Sequence, residues 1–247
     1  MIIKRDYYLK KIIDKRENGK IKIITGIRRC GKSYLLFNLY QEYLLSKGVK
    51  ENQIISIALD EIDNLEYRNP FRLNEYIKEK TKNRNQIYYI FIDEIQLSAA
   101  VSNPYIDSKE ENVTFVDVLL GLMKRSNLDI YVTGSNSKML SSDVLTQFRD
   151  RGDEIHVNPL SFAEVYDLYE NKELAFEHYN VYGGMPYIYS LKSDEEKAQY
   201  LKDLFKETYI KDILERNNIQ NEKEVLELLL DFTSSAIGSL TNPTKLS

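Results

Sequence analysis

The segment ITGIRRCGKSYLL, residues 24–36, contains two glycines separated by four residues and followed by lysine and serine. It matches the pattern G-x-x-x-x-G-K-[ST] at four positions, Gly26, Gly31, Lys32 and Ser33. This pattern alone occurs in unrelated proteins by chance, so its structural setting decides what it means. The segments on either side of the loop supply that setting.

The loop lies between a predicted strand and a predicted helix. The apolar run Ile21–Thr25 is typical of a buried strand, and it ends where the loop begins. After the loop, apolar residues recur at helical spacing from Leu35 to Tyr43, which predicts an amphipathic helix at about Lys32–Ser46. This strand–loop–helix order favours a phosphate-binding loop over an ordinary glycine turn.

The chemistry of such a loop depends mainly on its backbone. Glycines permit the backbone angles that point successive N–H groups inward, and the following helix start adds positive potential. Lys32 can supply a point charge to the β- and γ-phosphates of a nucleotide, and the Ser33 hydroxyl is a candidate ligand for Mg²⁺. The sequence-based set of nucleotide contacts is Gly26, Arg28, Arg29, Cys30, Gly31, Lys32, Ser33, Tyr34 and Ser135.

The variable positions of the loop carry Arg28, Arg29 and Cys30, the single cysteine of the chain. One interpretation makes Cys30 a redox-sensitive thiol, since phosphate-binding amides nearby could lower its pKa. The other, which we favour, makes it a small residue that fills the loop. One cysteine excludes an intrachain disulfide and a four-thiolate zinc site.

Two acidic residues follow a second apolar strand, in IYYIFIDEIQ at 87–96. Carboxyl ends of parallel strands meet at one edge of a sheet, so Asp93 and Glu94 are expected beside the loop. Asp93 is a candidate for holding the Mg²⁺ shell, and Glu94 for orienting and deprotonating the attacking water. The acidic pair at the end of the preceding strand, Asp60 and Glu61, could bond toward Glu94, although a plain surface role is favoured.

A polar strand end in DIYVTGSNSKML, residues 129–140, supplies Ser135 and Asn136. Either side chain could touch the γ-phosphate or the attacking water. The same residues are equally suited to cap the helix predicted at 135–144. Both interpretations stay open at this stage.

Apolar runs alternate with helical patterns, which predicts an α/β fold with a parallel sheet. Strands are expected at 21–25, 53–59, 88–92, 129–133 and 154–157. Further helices are expected at 71–82 and 114–124, and a polar excursion without periodicity at 96–113. After Pro159 the pattern becomes helical.

Composition narrows the function classes further. The net charge of −4 argues against a general nucleic-acid coat, and His156 and His178 lack ligand-like spacing. We find neither an apolar run of the ~20 residues that a membrane helix needs nor a signal-peptide core, which favours a soluble, cytoplasmic protein.

Six stretches together carry a family resemblance: ITGIRRCGKSYLL, IFIDEIQ, YVTGSNSKMLSSD, FRDRGDEIHVNPLSFAEVY, YGGMP and ETYIKDILERN. In this order, and over most of residues 5–216, the chain resembles a family of bacterial and archaeal AAA-like P-loop ATPases that carry a C-terminal domain of unknown function. The resemblance implies a sheet of order 5-1-4-3-2, a P-loop ATPase core at 1–159 and a helical lid subdomain at 160–216. Residues 217–247 would be the start of a truncated, winged-helix-like C-terminal domain.

The resemblance also implies a role for arginine after the fourth strand. Where the family shows Arg-Gly-Arg, this chain has Arg149, Asp150 and Arg151, and the transition-state role is carried to Arg151 and Arg149. Such an arginine could act on a phosphate bound to the same chain or on one bound across a subunit interface. The competing interpretation pairs Arg151 with Asp150 or Asp153 in a salt bridge.

These residues support two functions. The first is a Mg²⁺-dependent ATPase, with ATP and Mg²⁺ as cofactors, Glu94, Asn136, Arg149 and Arg151 as catalytic residues, and Ser33 and Asp93 as metal ligands. Its hydrolysis would move the lid and the C-terminal domain. The alternative is a nucleotide-gated binding module with little turnover, whose partner is a protein or DNA bound through the missing C-terminal domain. A homo-oligomer is the assembly expected if arginine acts across an interface.

Overall fold

The computed structural model describes residues 3–106, 111–134, 148–206, 228 and 231–235. By its internal contacts the chain divides into two compact units, Met1–Ser190 and Leu191–Ser247. The predicted loop and both acidic residues belong to the first unit. The predicted boundaries at 159/160 and 216/217 stay predictions.

The first unit is built on a five-stranded sheet whose neighbouring strands all pair in parallel. Its strands are β1 (Ile21–Thr25), β2 (Ile54–Ala58), β3 (Tyr88–Asp93), β6 (Leu128–Thr133) and β7 (Gly152–His156). They lie side by side in the order β2-β3-β6-β1-β7. A separate antiparallel pair is formed by β4 (Val101–Ser102) and β5 (Asn112–Val113). If the five strands of the parallel sheet are numbered one to five along the chain, β6 is the fourth and β7 the fifth. Their order in the sheet is then 5-1-4-3-2, and the predicted order is confirmed.

The helices of this unit lie between the strands in sequence. They are α1 (Asp6–Asp14), α2 (Lys32–Tyr34), α3 (Gln41–Ser46), α4 (Pro70–Lys80), α5 (Phe115–Leu122), α6 (Phe162–Tyr166) and α7 (Lys172–Tyr182). A π-helical segment, Leu35–Tyr40, joins α2 to α3, so the predicted helix at about 32–46 is confirmed with an irregular middle. Short 3₁₀ turns occur at Glu51–Gln53, Ile62–Arg68, Ile95–Leu97, Arg149–Arg151 and Pro186–Ser190.

Alternation along the central strands places two apolar layers on opposite faces of the sheet. Ile90, Ile92 and Ile130 face a cluster that includes residues of α4 and α5. Phe91 and Tyr131 face a second cluster, which includes residues of α1 and of the helix after the loop. Because side chains alternate with period 2, the last residues of β3 and β6 share the face of the loop helix.

Local chemistry explains where several elements begin. The Asn69 side chain accepts a hydrogen bond from Phe71 N at 2.9 Å, and Pro70 occupies the first position of α4. In the predicted excursion, Val101 pairs with Val113, which gives it a short regular part that its polar sequence concealed. The helix predicted at 135–144 lies outside the described residues.

A buried charged network closes the amino-terminal edge of the sheet. Lys22 is fully buried and forms a short ion pair with Asp129, which is 3% exposed. Asp129 Oδ2 also accepts hydrogen bonds from Tyr131 OH at 2.6 Å and from Glu17 N at 2.9 Å. Tyr40 OH lies 2.6 Å from Tyr131 OH. Burial raises the pKa of Tyr131, and the Asp129 carboxylate raises it further, so its hydroxyl stays a donor.

In the second unit, α8 spans Asp194–Asp203 and begins at Ser193, whose hydroxyl accepts a hydrogen bond from Glu196 N at 3.2 Å. Hydrogen bonds at both Ser193 and Lys192 lower the pKa of the Glu196 carboxyl. Across the parts of the chain that the structure describes, none of the helices combines the length and apolar character needed to cross a membrane.

Candidate functional site

The loop between β1 and α2 has the backbone angles that glycine permits. Gly26 has φ +148° and Gly31 has φ +97°, and between them Arg29 also has positive φ, at 63°. A Cβ on Gly26 would lie 2.2 Å from Val157 O and 2.9 Å from Cys30 Sγ, so only glycine fits there. The loop is therefore packed directly against the chain that follows β7.

Cys30 lies on the inner side of this loop, with no exposed surface. Its thiol donates to Val157 O at 3.3 Å. Burial raises the pKa of the thiol, and the nearby cations Lys32 and Arg5 only partly lower it. The low-pKa interpretation of Cys30 is therefore wrong, because burial outweighs the positive charge, and the loop-filling interpretation fits the contacts.

Lys32 is 4% exposed and turns back over the loop. Its ammonium donates to Gly26 O and to Ile27 O, each at 3.0 Å. These acceptors are neutral carbonyl oxygens of the loop itself. The lysine charge is thereby held at the mouth of the loop, where a phosphate could replace the carbonyls as its acceptor.

The acidic pair lies at the carboxyl end of β3. Asp93 is 7% exposed, and one of its carboxylate oxygens accepts a short hydrogen bond from the Thr133 hydroxyl at the end of β6. The same hydroxyl oxygen accepts a hydrogen bond from Glu94 N at 3.2 Å. Thr133 therefore fixes the two acidic residues relative to each other across neighbouring strands.

Glu94 has an unusual backbone and a defined partner. Its φ of 51° is left-handed, which is uncommon for a residue other than glycine and is found at functional sites. Its carboxylate accepts a short hydrogen bond from the Gln96 amide. Burial raises the pKa of Glu94, Asp93 raises it further, and Gln96, Lys32 and Arg28 lower it in part.

One cavity, of about 380 Å³, lies between the helix that follows the loop and the carboxyl ends of β2 and β3. Ser33 and Asp93 both line it, as does Glu61 after β2. A hydroxyl and a carboxylate on one cavity are oxygen donors of the kind that Mg²⁺ prefers, so this donor set fits that ion. Glu61 accepts a hydrogen bond from Asn64 Nδ2 at 3.3 Å, and Glu94 accepts one from Gln96. The predicted bond from Glu61 toward Glu94 stays a prediction.

A second cavity, of about 310 Å³, borders the loop at Arg29 and Gly31 and is mainly apolar. We call it the Tyr34–Pro186 cavity. Its walls come from the N-terminal segment, the loop, and the chain after β7, and its lining includes Ile3, Arg29, Gly31, Tyr34, Leu160 and Pro186. Pro186 belongs to YGGMP, which thus contributes to the neighbourhood of the loop. A flat apolar ligand group next to the phosphates would fit here.

The predicted arginine lies elsewhere. Arg151 is exposed and directly precedes β7, whose first residue pairs with Ile21 at the amino-terminal end of β1. The loop follows Thr25 at the opposite end, about 13 Å further along the strand at 3.3 Å per residue. The arrangement does not favour a role within the same chain. Asp153 forms its ion pairs with Lys15 and Lys20 rather than with Arg151.

The other predicted residues divide into two groups. Arg29 and Tyr34 line the Tyr34–Pro186 cavity, and Arg28 lies near enough to Glu94 to lower its pKa. Ser135, Asn136 and the side chain of Arg149 lie outside the described residues. Their assigned roles stay predictions.

Sequence reasoning missed Thr133 and Gln96. Thr133 is a β-branched residue at the end of an apolar strand, so its type indicated only a strand. Its position at the strand end was the available signal. Gln96 follows Glu94 by two residues, in the same motif.

A parallel sheet, a glycine loop at the carboxyl end of the inner strand β1, and acidic residues at the same end of β3 define a P-loop nucleotide-binding protein. In the sheet, β6 lies between β1 and β3. The chain belongs to the AAA-like P-loop ATPases, because the model described as an AAA domain matches residues 18–166. A model for a domain of unknown function matches residues 173–247.

Two curated relatives bear the name "uncharacterized protein". One, from Haemophilus influenzae, is 28% identical over 253 residues, covering 100% of this chain and 59% of the relative. The other, from Methanocaldococcus jannaschii, is 29% identical over 241 residues, covering 91% of this chain and 47% of the relative. The chain thus spans about half the length of these relatives.

Solved structures with distant similarity include Caenorhabditis elegans PCH-2, with 18% identity and a TM-score of 0.44 over 71% of this chain and 44% of that one. The Saccharomyces cerevisiae Hsp104:casein complex gives 16% identity and a TM-score of 0.47 over 74% and 31%. Cdc6p from Pyrobaculum aerophilum gives 13% identity and a TM-score of 0.43 over 66% and 48%.

Proposed function

We propose that this chain binds ATP with Mg²⁺ at the β1–α2 loop and hydrolyses it. The observation that carries the proposal is the grouping of Lys32, Ser33, Asp93 and Glu94 around one end of the sheet. Lys32 is held at the mouth of the loop, while Ser33 and Asp93 line one cavity beside it. Glu94 adjoins Asp93 through the shared Thr133 hydroxyl.

In this proposal the triphosphate lies in the loop, where it takes the place of Gly26 O and Ile27 O as the acceptor for Lys32. Ser33 and Asp93 would hold Mg²⁺, Asp93 through water. The ion supplies charge neutralisation on the β- and γ-phosphates when bound. The Thr133 hydroxyl keeps the Asp93 carboxylate turned toward that cavity.

Glu94 is the proposed general base. Its carboxylate would accept the proton of the water that attacks the γ-phosphate, while its left-handed backbone sets the direction of the side chain. A raised pKa makes a carboxylate a better proton acceptor once it is ionised. The base must leave Gln96, or share its bond, to reach the water.

The Tyr34–Pro186 cavity is the proposed place for the nucleotide base. It adjoins Gly31, and its apolar lining suits a planar ring that extends from phosphates held in the loop. The preference for adenine over guanine rests on family membership and on the absence of an Asn-Lys-x-Asp motif from the sequence.

The test is steady-state phosphate release by the wild type and by Glu94→Gln, with ATP binding measured in parallel. We expect the turnover of Glu94→Gln to be about 10²- to 10⁴-fold lower than that of the wild type, with unchanged ATP affinity. Wild-type turnover at the background level, with tight ATP binding, would contradict hydrolysis. Unchanged ATP affinity in Lys32→Met would contradict the site itself.

A nucleotide-gated binding module with little turnover is the second candidate. The Gln96–Glu94 hydrogen bond favours it, because it occupies the carboxylate that hydrolysis needs. In that case Gln96→Ala should raise turnover, and ATP occupancy rather than hydrolysis would control a protein or DNA partner. The same phosphate-release assay separates the two candidates.

The proposal extends to an assembly of copies and to a moving lid. Arg151 lies exposed at the sheet edge opposite the loop, so a transition-state role requires the site of another copy. Mixing Arg151→Ala subunits with Lys32→Met subunits tests this, since each lacks a different half of such a shared site. Recovery of turnover is expected on mixing, and its absence would contradict the shared site.

A further inference from the structure

Arg5, in the N-terminal segment, makes contacts to three separate parts of the first unit. Its side chain is 2% exposed. One guanidinium nitrogen donates to Cys30 O at 3.0 Å and the other to Asn158 O at 2.7 Å. Its Nε lies 2.8 Å from a carboxylate oxygen of Glu164, in an ion pair whose N–H is not aligned for a hydrogen bond. The guanidinium also lies 4.6 Å from the centre of the Tyr8 ring.

The contact to Cys30 O reaches the backbone of the phosphate loop. This carbonyl belongs to the peptide unit that joins Cys30 to Gly31. In a trans peptide the C=O and the N–H point in opposite directions across one rigid plane. The structure has no cis peptide among the residues it describes. Holding the carbonyl toward Arg5 therefore turns the Gly31 N–H away from Arg5.

The position of Gly31 makes this orientation consequential. Its φ of +97° lies where glycine rotates freely at low cost, so its own residue preference does not fix the peptide before it. An external charged donor can supply the constraint, because a hydrogen bond from a guanidinium is stronger than one between neutral groups. Arg5 also lies close to Gly31, since a Cβ there would be 3.6 Å from its guanidinium.

The other side of Arg5 is held by the beginning of α6. Glu164 accepts from Ser161 N at 2.8 Å and from the Ser161 hydroxyl at 2.9 Å, which fixes its carboxylate at the first turn of that helix. Asn158 precedes this helix and receives the second guanidinium bond through its carbonyl. Displacement of α6 would thus move the groups that aim Arg5 at the loop.

We propose that Arg5 is a positioning residue for phosphate binding: it orients the Cys30–Gly31 peptide so that the Gly31 N–H faces the phosphates, and Glu164 holds it in that position. This rests on the proposed ATP site. It makes the occupancy of the loop depend on the placement of α6, at the start of the predicted lid. Arg5 also lines the Tyr34–Pro186 cavity, and its proposed action on phosphate binding is through the Cys30–Gly31 peptide.

The test measures binding of ATP and of inorganic tripolyphosphate, which has no base, by calorimetry. Arg5→Met keeps the apolar stem and removes the donors. We expect it to weaken the affinity for both ligands by about tenfold or more, since the loop loses its orienting bond. Arg5→Lys, with one point charge in place of the fork, should restore only part of that affinity.

Arg125→Met is the matched control, because Arg125 also donates to a backbone carbonyl, Thr81 O, at 2.6 Å but lies away from the loop. It should bind both ligands like the wild type. If Arg5→Met lowers the midpoint of thermal unfolding yet binds both ligands with wild-type affinity, Arg5 is a structural brace and the proposal is overturned.

The role of Glu164 is tested with Glu164→Gln, which keeps the side-chain shape. We expect a loss of tripolyphosphate affinity of about threefold, and no further loss when it is added to Arg5→Met, because both act through one guanidinium. If Glu164→Gln lowers tripolyphosphate affinity equally in the wild type and in Arg5→Met, Glu164 does not act through Arg5 and this part of the proposal is overturned. Glu164→Gln also serves if Arg5→Met does not fold.

Failure of this proposal differs from failure of the ATP site. If the wild type binds ATP and Lys32→Met does not, while Arg5→Met binds as the wild type does, only the Arg5 proposal fails. If turnover is measurable, loss of ground-state binding predicts a higher KM with kcat changed less than about twofold. A fall in kcat at constant KM would contradict the positioning role.

Discussion

Two buried lysines lie at opposite ends of the same part of the sheet, and they are held in different ways. Lys22, in β1, has no exposed surface and pairs with the Asp129 carboxylate. Lys32, after the loop, is 4% exposed and donates to two backbone carbonyls. The first charge is neutralised inside the protein, while the described hydrogen bonds of the second go to neutral groups.

The charge of Lys22 therefore contributes to the stability of the fold, while the charge of Lys32 is placed to bind an anionic ligand. A buried ion pair with further hydrogen bonds is costly to break on one side only. A buried ammonium bonded to carbonyls keeps its full charge for an anion that displaces them. The comparison predicts that losing Lys22 harms stability and losing Lys32 harms binding.

The largest effect is expected for Lys22→Met. It leaves Asp129 buried without its cation, so the free energy of unfolding should fall by about 3–5 kcal/mol. Urea unfolding followed by circular dichroism measures this, and ATP affinity of the folded fraction should not change.

The double variant Lys22→Met/Asp129→Leu is the control, because it removes both charges. It should recover part of the lost stability, since no unpaired charge remains. If the single variant were as stable as the wild type, the ion pair would not hold this edge of the sheet and the contrast would disappear.

A smaller effect in free energy is expected for Lys32→Met. ATP affinity should fall by about 10- to 100-fold, as for the loss of a hydrogen bond to a charged group. The free energy of unfolding should change less than in Lys22→Met, since no carboxylate is left unpaired. Calorimetric titration and urea unfolding of the same preparation check both halves, and a larger stability loss than in Lys22→Met would reverse the comparison.

The smallest effect is expected for the rate at which the Cys30 thiol is labelled. This rate depends on the pKa of the thiol, which the Lys32 charge lowers in part. Because burial raises the pKa of the thiol, its thiolate fraction at about pH 8 is below that of a free cysteine. Labelling by a disulfide reagent should be at least about tenfold slower in the native than in the urea-unfolded protein. Lys32→Met removes a charge that lowers this pKa, so labelling should not accelerate; faster native labelling would indicate an accessible thiol.

Much of the fold could be predicted because its strands are short apolar runs between clear breaks. Ile21–Thr25 has the same bounds in sequence and structure. β7 begins at Gly152 rather than 154, because its polar residues lie on an edge strand and obscure the pattern. The order of the strands came from the resemblance, since apolar runs do not say which strands are neighbours.

The candidate site could be predicted only where its residues lie in recognisable motifs. Asp93 and Glu94 were found because two acids follow an apolar strand. Arg5 could not be found, because a charged residue near an N-terminus is usually exposed, and its partners Cys30 and Asn158 are distant in sequence. Lys22 was missed for a similar reason, since a lysine in a strand gives no sign of a buried carboxylate partner.

The position of β1 between β6 and β7 has a consequence for folding kinetics. Among the strands of this sheet it comes first in the sequence, yet it pairs with β6 and β7, which come last in the sequence. Pairings between distant segments form slowly, because a long loop must close before any contact rewards it. Because Gly26 packs against Val157, just after β7, we expect the phosphate loop to form only once β7 has been synthesised.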